Sequence, residues 1–146
     1  MKKKNHNIAI VISEFNRKVT DALLDGAERA FNDYSSGNLK VVRVPGAFEI
    51  PATAKKVASK LSVDAVVTLG AVIKGETRHF DFISSECTRA IQQLTLEFDI
   101  PIIFGVLTTE NARQALDRAT KKDKGYEVMQ SAFDMINTFK EIEQSS

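Results

Sequence analysis

The chain has 146 residues, the size of one ordinary domain, and its 43% hydrophobic and 27% charged residues exclude a disordered or fibrous protein. Its 20 basic and 19 acidic side chains nearly cancel, so it lacks the charge expected of a nucleic-acid-binding or membrane-surface protein. No stretch approaches the roughly 20 apolar residues that span a bilayer, and the N-terminus has no apolar signal segment. We expect one cytoplasmic domain, residues 1–146, whose partners are small molecules.

Residues 1–7 are predicted to form a flexible tail, because three lysines precede the first apolar run. One of the two histidines, His6, belongs to this tail, so His79 is predicted to be the only imidazole inside the fold. The single cysteine, Cys87, cannot form a disulfide within the chain and is predicted to have a structural role.

The first predicted element is a strand, Ile8 to Ser13, whose consecutive branched side chains are typical of burial on both faces. A helical pattern follows and ends at Gly37. A second strand spans Leu39 to Val44 and stops at a Pro-Gly pair, after which a helix begins with Pro51 in its first turn.

The second half of the chain repeats this alternation. A third strand spans Ala65 to Val72, and its helix begins beyond Gly75. The fourth strand is Pro101 to Leu107; Thr109 or Asn111 caps the next helix, and a last amphipathic helix runs from about Tyr126 to Phe139. Alternating buried strands and helices predict an α/β fold, a three-layer α/β/α sandwich around a four-stranded parallel sheet.

Ligands of such sheets bind beyond the carboxyl ends of the strands, where this chain has polar or glycine-rich turns. Phe15 follows the first strand and offers a flat apolar face; Phe48 and Glu49 follow the second and offer a second face and a carboxylate. Together with exposed backbone amides, these groups suit a planar polar heterocycle with a hydroxylated side chain.

The turn after the third strand favours an anion such as phosphate. Gly75 allows close approach of the backbone, and Glu76 and Thr77 precede a helix with free amide groups. Either Arg78 or Arg118 could balance the charge. The spacing matches neither the Walker loop nor the dinucleotide fingerprint.

His79 follows this turn directly and has the residue type suited to proton transfer near neutral pH. The residues alone leave open whether it transfers protons or makes a structural hydrogen bond. One histidine and one cysteine inside the fold do not supply three convergent metal ligands, so no metal site is predicted.

Five segments, in their order and spacing, resemble the 6,7-dimethyl-8-ribityllumazine synthases of riboflavin biosynthesis: SEFN, VPGAFEIP, LGAVIKGETRHFDF, IPIIFGVLTTEN and ALDRA. The resemblance covers about Ile8 to Phe139. It implies a flavodoxin-like fold and a cofactor-independent transferase. The implied reaction joins 5-amino-6-(D-ribitylamino)uracil to 3,4-dihydroxy-2-butanone 4-phosphate and releases the lumazine, phosphate and water.

The resemblance also implies a role for each matching residue. His79 matches the proton-transfer histidine, and Phe15 matches the aromatic that stacks on the pyrimidine. The ribityl chain is assigned to Ala47, Phe48 and Glu49, the ring edge to Ala71, Val72 and Ile73, the phosphate to Glu76, Thr77 and Arg118, and a further aromatic contact to Phe104.

In this family Phe104 and Arg118 correspond to residues contributed by a neighbouring subunit. The resemblance therefore implies a homopentamer, and it leaves open whether pentamers assemble into a sixty-subunit shell and whether they associate with a separate riboflavin synthase. Two departures stand out: Glu14 occupies a position where many relatives have arginine, and TKKDKG (residues 120–125) is shorter than the usual glycine-containing stretch. Lys121 and Lys124 are accordingly left outside the predicted site.

Three other functions are compatible with parts of this pattern. The related archaeal-type riboflavin synthase has similar architecture, but the GETRHFDF segment favours the phosphate-using enzyme. A non-catalytic flavin- or lumazine-binding shell protein would need neither His79 nor Arg118. A simple flavodoxin-like binding module would not require the five linked segments.

Overall fold

The computed structural model describes residues 3–75 and 79–145. Its strands are β1 (Ile8–Ser13), β2 (Leu39–Val44), β3 (Ala65–Ile73) and β4 (Ile102–Thr109). Its α-helices are α1 (Arg17–Tyr34), α2 (Ile50–Lys60), α3 (Phe80–Glu97), α4 (Ala112–Ala119) and α5 (Lys124–Gln144), and a short 3₁₀ turn covers Ala47–Glu49.

The four strands form one parallel sheet in the order β2-β1-β3-β4. Helices cover both faces of this sheet, which confirms the predicted three-layer α/β/α sandwich with a flavodoxin-like strand order. Within the described residues, no helix combines the length and apolar character needed to cross a membrane.

The sheet separates two apolar clusters. Alternate residues of the central strands, such as Ile10 on β1 and Val67 on β3, pack on one face against α1, α4 and α5. Their neighbours Val11 and Val66 pack on the other face against α2 and α3. Burial on both faces explains why β1 and β3 consist of nearly uninterrupted apolar residues.

The observed boundaries differ from the predicted ones mainly at the ends of elements. β3 continues to Ile73 and β4 to Thr109, and α5 is longer at both ends than predicted. Of the two candidate caps of α4, Asn111 is the one used, because its Oδ1 accepts a hydrogen bond from the amide of Gln114 at 2.9 Å.

The placement of His6 in a tail outside the fold is wrong. The residue is only 5% exposed, and its ring lies 6.1 Å from that of Phe133 on α5. Its amide donates to the hydroxyl of Ser35 at 3.2 Å, and that hydroxyl donates to the His6 carbonyl at 2.7 Å. Because Ser35 satisfies the backbone of this segment, a polar-looking sequence can pack against the end of α1.

Candidate active site

A cavity of about 300 Å³, here called the β1/β3 crevice, opens at the carboxyl ends of the central strands. β1 and β3 are the neighbours at which the strand order reverses, the usual ligand position in an open parallel sheet. The structure brings together here seven of the predicted binding residues: Phe15, Ala47, Phe48, Glu49, Ala71, Val72 and Ile73. Gly46 and Ile83 complete the lining.

Phe15 is held at the crevice by its backbone. After β1 the chain follows the end of β2, since the amide of Glu14 donates to the Val44 carbonyl at 2.8 Å and that of Phe15 to the Pro45 carbonyl at 3.0 Å. The Phe15 side chain is 55% exposed. It therefore presents a free aromatic face rather than filling the core.

The turn Ala47–Glu49 forms the opposite wall. The Glu49 carboxylate accepts from the amide of Gly46 at 2.9 Å, which closes the turn, and the Phe48 side chain is 63% exposed. Beneath it, the buried Cys87 thiol donates to the Ala47 carbonyl at 3.4 Å. Burial raises the pKa of Cys87 to about 11, so the thiol stays protonated at neutral pH and is not a nucleophile.

The floor of the crevice is the end of β3. Ala71, Val72 and Ile73 have buried side chains and stay paired with β4, but the β1–β3 pairing ends at Ile12 and Leu69. The backbone groups beyond that point that are directed toward β1 therefore face the crevice. Backbone amide and carbonyl groups at such a position suit the hydrogen-bonding edge of a heterocycle.

His79 lies next to this crevice. It precedes α3, is exposed, and its carbonyl accepts from the amide of Ile83 at 2.8 Å. A second cavity, of about 480 Å³, is lined by His79, Phe48, Phe82 and Ile83. Phe48 and Ile83 line both cavities, so the two are contiguous. The predicted phosphate segment, Glu76 and Thr77, lies outside the described residues, as does Arg78.

Phe104 and Arg118 do not reach the crevice within one chain. Phe104 pairs with Thr68 in the middle of the β3–β4 ladder and is 40% exposed. The Arg118 guanidinium donates to the Thr108 carbonyl at 3.3 Å. Since the Thr109 carbonyl accepts from Lys74 after β3, the preceding carbonyl points to the outer edge of β4, away from the crevice.

Arg118 instead lines a polar cleft of about 360 Å³, the Arg118 cleft, with Val106, Leu107, Thr108, Lys122, Lys124 and Glu127. Lys124 pairs with Glu127 at 3.1 Å, whereas Lys121 pairs with Asp117 at 3.8 Å and does not line the cleft. Lys122 was not predicted from the sequence, where its only signal was the local density of lysines in residues 120–125.

The cleft suits an anion, because three of its side chains are cationic. A metal cation finds no comparable set of ligands: in residues 3–75 and 79–145, no three His, Cys, Asp or Glu side chains converge as a metal site would require.

The family model for 6,7-dimethyl-8-ribityllumazine synthase matches residues 5–140, nearly the whole chain. The chain therefore belongs to this family of riboflavin-biosynthesis transferases, and the family identified from the five sequence segments is confirmed. The match includes both the β1/β3 crevice and the Arg118 cleft.

Proposed function

Because the chain belongs to the lumazine synthase family, we propose that it condenses 5-amino-6-(D-ribitylamino)uracil with 3,4-dihydroxy-2-butanone 4-phosphate. The products are 6,7-dimethyl-8-ribityllumazine, phosphate and water. One observation carries this assignment: a crevice with two exposed aromatic faces and the end of β3, no longer paired with β1, lies directly beside His79. That arrangement fits a flat heterocycle next to a group that moves protons.

The pyrimidine occupies the β1/β3 crevice in this proposal. Its ring stacks on Phe15, and its polar edge hydrogen-bonds the backbone at Ala71, Val72 and Ile73. The ribityl chain runs along Ala47, Phe48 and Glu49, where turn amides and a carboxylate suit several hydroxyl groups.

The phosphate of the second substrate binds between Glu76 and Thr77 of one copy and Arg118 of a neighbouring copy. Support for a neighbour comes from Arg118 itself, which lies at the outer edge of β4 and not in the crevice of its own chain. Phe104 is exposed on β4, the edge strand beside Arg118, and in this proposal it contacts the pyrimidine ring bound in a neighbour's crevice. A closed homopentamer repeats this contact at every site.

The reaction needs no metal or organic cofactor in this proposal, because both substrates already contain the reactive groups. The pyrimidine amine attacks the ketone and water leaves to form an imine. Elimination then expels phosphate, and the second nitrogen closes the ring with loss of another water. His79 moves protons in these steps, and holding the two substrates together lowers the barrier by several kcal/mol.

The test follows lumazine absorbance and phosphate release in one mixture of protein and both substrates, with a protein-free mixture as control because the condensation proceeds slowly unaided. We expect both products to appear together and well above the control. Binding of the ribityl-pyrimidine without any acceleration would contradict the proposed enzyme and favour a non-catalytic binding protein.

A further inference from the structure

β1 and β3 separate at their carboxyl ends. Their ladder ends at Ile12 and Leu69. After β1 ends, the amides of Glu14 and Phe15 donate to the Val44 and Pro45 carbonyls on the β2 side. The carbonyl of Ala71 on β3 thus faces the gap between the strands instead of a backbone donor from β1. This gap is the β1/β3 crevice.

The Asn16 side chain bridges that gap. The Asn16 carboxamide Nδ2 donates to the Ala71 carbonyl at 3.0 Å. Asn16 is the residue that precedes α1, where an asparagine usually caps the helix, yet its side chain makes no capping hydrogen bond. The side chain that would cap the helix is instead directed to β3, at Ala71, which lines the crevice.

The backbone of Asn16 is also unusual. Its φ of 64° and ψ of 49° lie in the left-handed region, which few residues other than glycine adopt and which asparagine tolerates better than most. Its carbonyl still accepts from the amides of Val19 and Thr20, so the first turn of α1 is intact. This conformation sends the chain sharply from Phe15 into α1 and turns the carboxamide toward β3.

We propose that Asn16 is a positioning residue that fixes the separation of Phe15 from the end of β3. It thereby sets the width of the slot in which a flat ring stacks. Phe15 is more than half exposed, so core packing holds it only in part. Its own amide fixes it to Pro45 on the β2 side, and the link from Asn16 to Ala71 adds the constraint toward β3. This positioning role rests on the proposed function, because that function supplies the flat ring that the slot holds.

Two variants separate the hydrogen bond from the backbone conformation. Asn16→Gly keeps the left-handed conformation at no steric cost but removes the carboxamide, and Asn16→Asp keeps the shape but replaces the donor with an acceptor. For both we expect KM for the ribityl-pyrimidine, and Kd for the lumazine product followed by its fluorescence, to rise about two- to tenfold. KM for the butanone phosphate should stay unchanged.

Asn7→Gly is the matched control. Asn7 precedes β1 at the opposite end of the sheet, where its Oδ1 accepts from the amide of Asn38 at 2.9 Å. This variant loses a comparable side-chain hydrogen bond between two segments of the chain, so its Tm should fall while both KM values stay unchanged. Equal ring affinity in wild type and the Asn16 variants, or an equal rise in both KM values, would overturn the positioning role.

The proposed function and the positioning role fail in different ways. If the wild type binds lumazine but forms none from the two substrates, the enzyme assignment fails. The lumazine Kd of the Asn16 variants relative to wild type then still tests the positioning role of Asn16. If the wild type neither binds lumazine nor forms it, both are overturned.

Discussion

The β1/β3 crevice is lined by aromatic, aliphatic and backbone groups with one carboxylate, whereas the Arg118 cleft is lined by three cations, one carboxylate and strand residues. The two share no lining residue and lie on opposite sides of the edge strand β4. A condensation of a ring with a phosphorylated ketone needs both kinds of surface at one place. Under the proposed function, each chain therefore presents two half-sites, and each is completed by the facing half of a neighbour.

The largest expected effect lies on the crevice side. Replacing His79 with alanine removes the proposed proton-transfer group, so we expect kcat to fall roughly 10²- to 10⁴-fold with little change in either KM. The enzyme should remain faster than the protein-free reaction, because substrate positioning is retained. Complete loss of turnover in a folded variant, measured by lumazine absorbance, would show that His79 does more than transfer protons.

The next effect lies on the cleft side. Arg118→Ala removes the charged hydrogen-bond donor proposed to bind phosphate, and we expect kcat/KM for the butanone phosphate to fall about 10- to 100-fold while lumazine binding is retained. Lys121→Ala is the matched control, because this nearby cation pairs with Asp117 outside the cleft. Equal losses in the two variants would mean that net charge, and not the cleft, attracts the substrate.

Mixed oligomers test directly whether two chains share a site. Phe15→Ala damages the crevice and Arg118→Ala damages the cleft, so each variant alone should have low activity. Co-assembled subunits should regain up to about one quarter of wild-type activity, because random mixing pairs intact halves at that fraction of sites. Activity that stays at the average of the two separate variants would place the complete site within one chain.

The smallest expected effect concerns His6, which lies outside both half-sites. Burial lowers its pKa below the ordinary value of 6.5, and Lys140 and Lys4 add to this while Asp64 opposes it. Its Nδ1 lies 3.8 Å from the Asp64 carboxylate, and its buried Nε2 has no hydrogen-bond partner within the described residues. The folded state therefore favours neutral imidazole.

The unfolded chain binds a proton at His6 more readily than the folded one, so this contribution to stability is complete above pH 6.5. It is lost as the pH falls from there through the lowered folded pKa. His6→Gln should thus lose a few degrees less in Tm than wild type on acidification, with both KM values unchanged. Identical pH dependence of Tm in the two proteins would contradict this linkage.

Sequence patterns predicted the strands because buried parallel strands need continuous apolar residues. This pattern is visible along the chain without knowing which strands are neighbours in the sheet. Sequence patterns also predicted Phe15, Phe48 and Glu49 at the crevice, since parallel strands bring their carboxyl ends to one edge, whereas Ala47, Ala71, Val72 and Ile73 came only from the family resemblance. His6 escaped prediction because its burial depends on Ser35 and Phe133, whose proximity is not visible along the chain. Lys122 was not predicted because, in a sequence with several nearby lysines, nothing marks the one whose side chain lines the cleft.

The sequence by itself thus determined the fold class, the family and the residues at the end of each strand, because local hydrophobic pattern and linked motifs contain that information. Only the tertiary structure decided that Asn16 reaches across to Ala71 and that Arg118 faces the outer edge of β4. The physical reason is that both depend on strand order and on the direction of individual carbonyl groups. Those are properties of the assembled sheet, and no single segment of the chain specifies them.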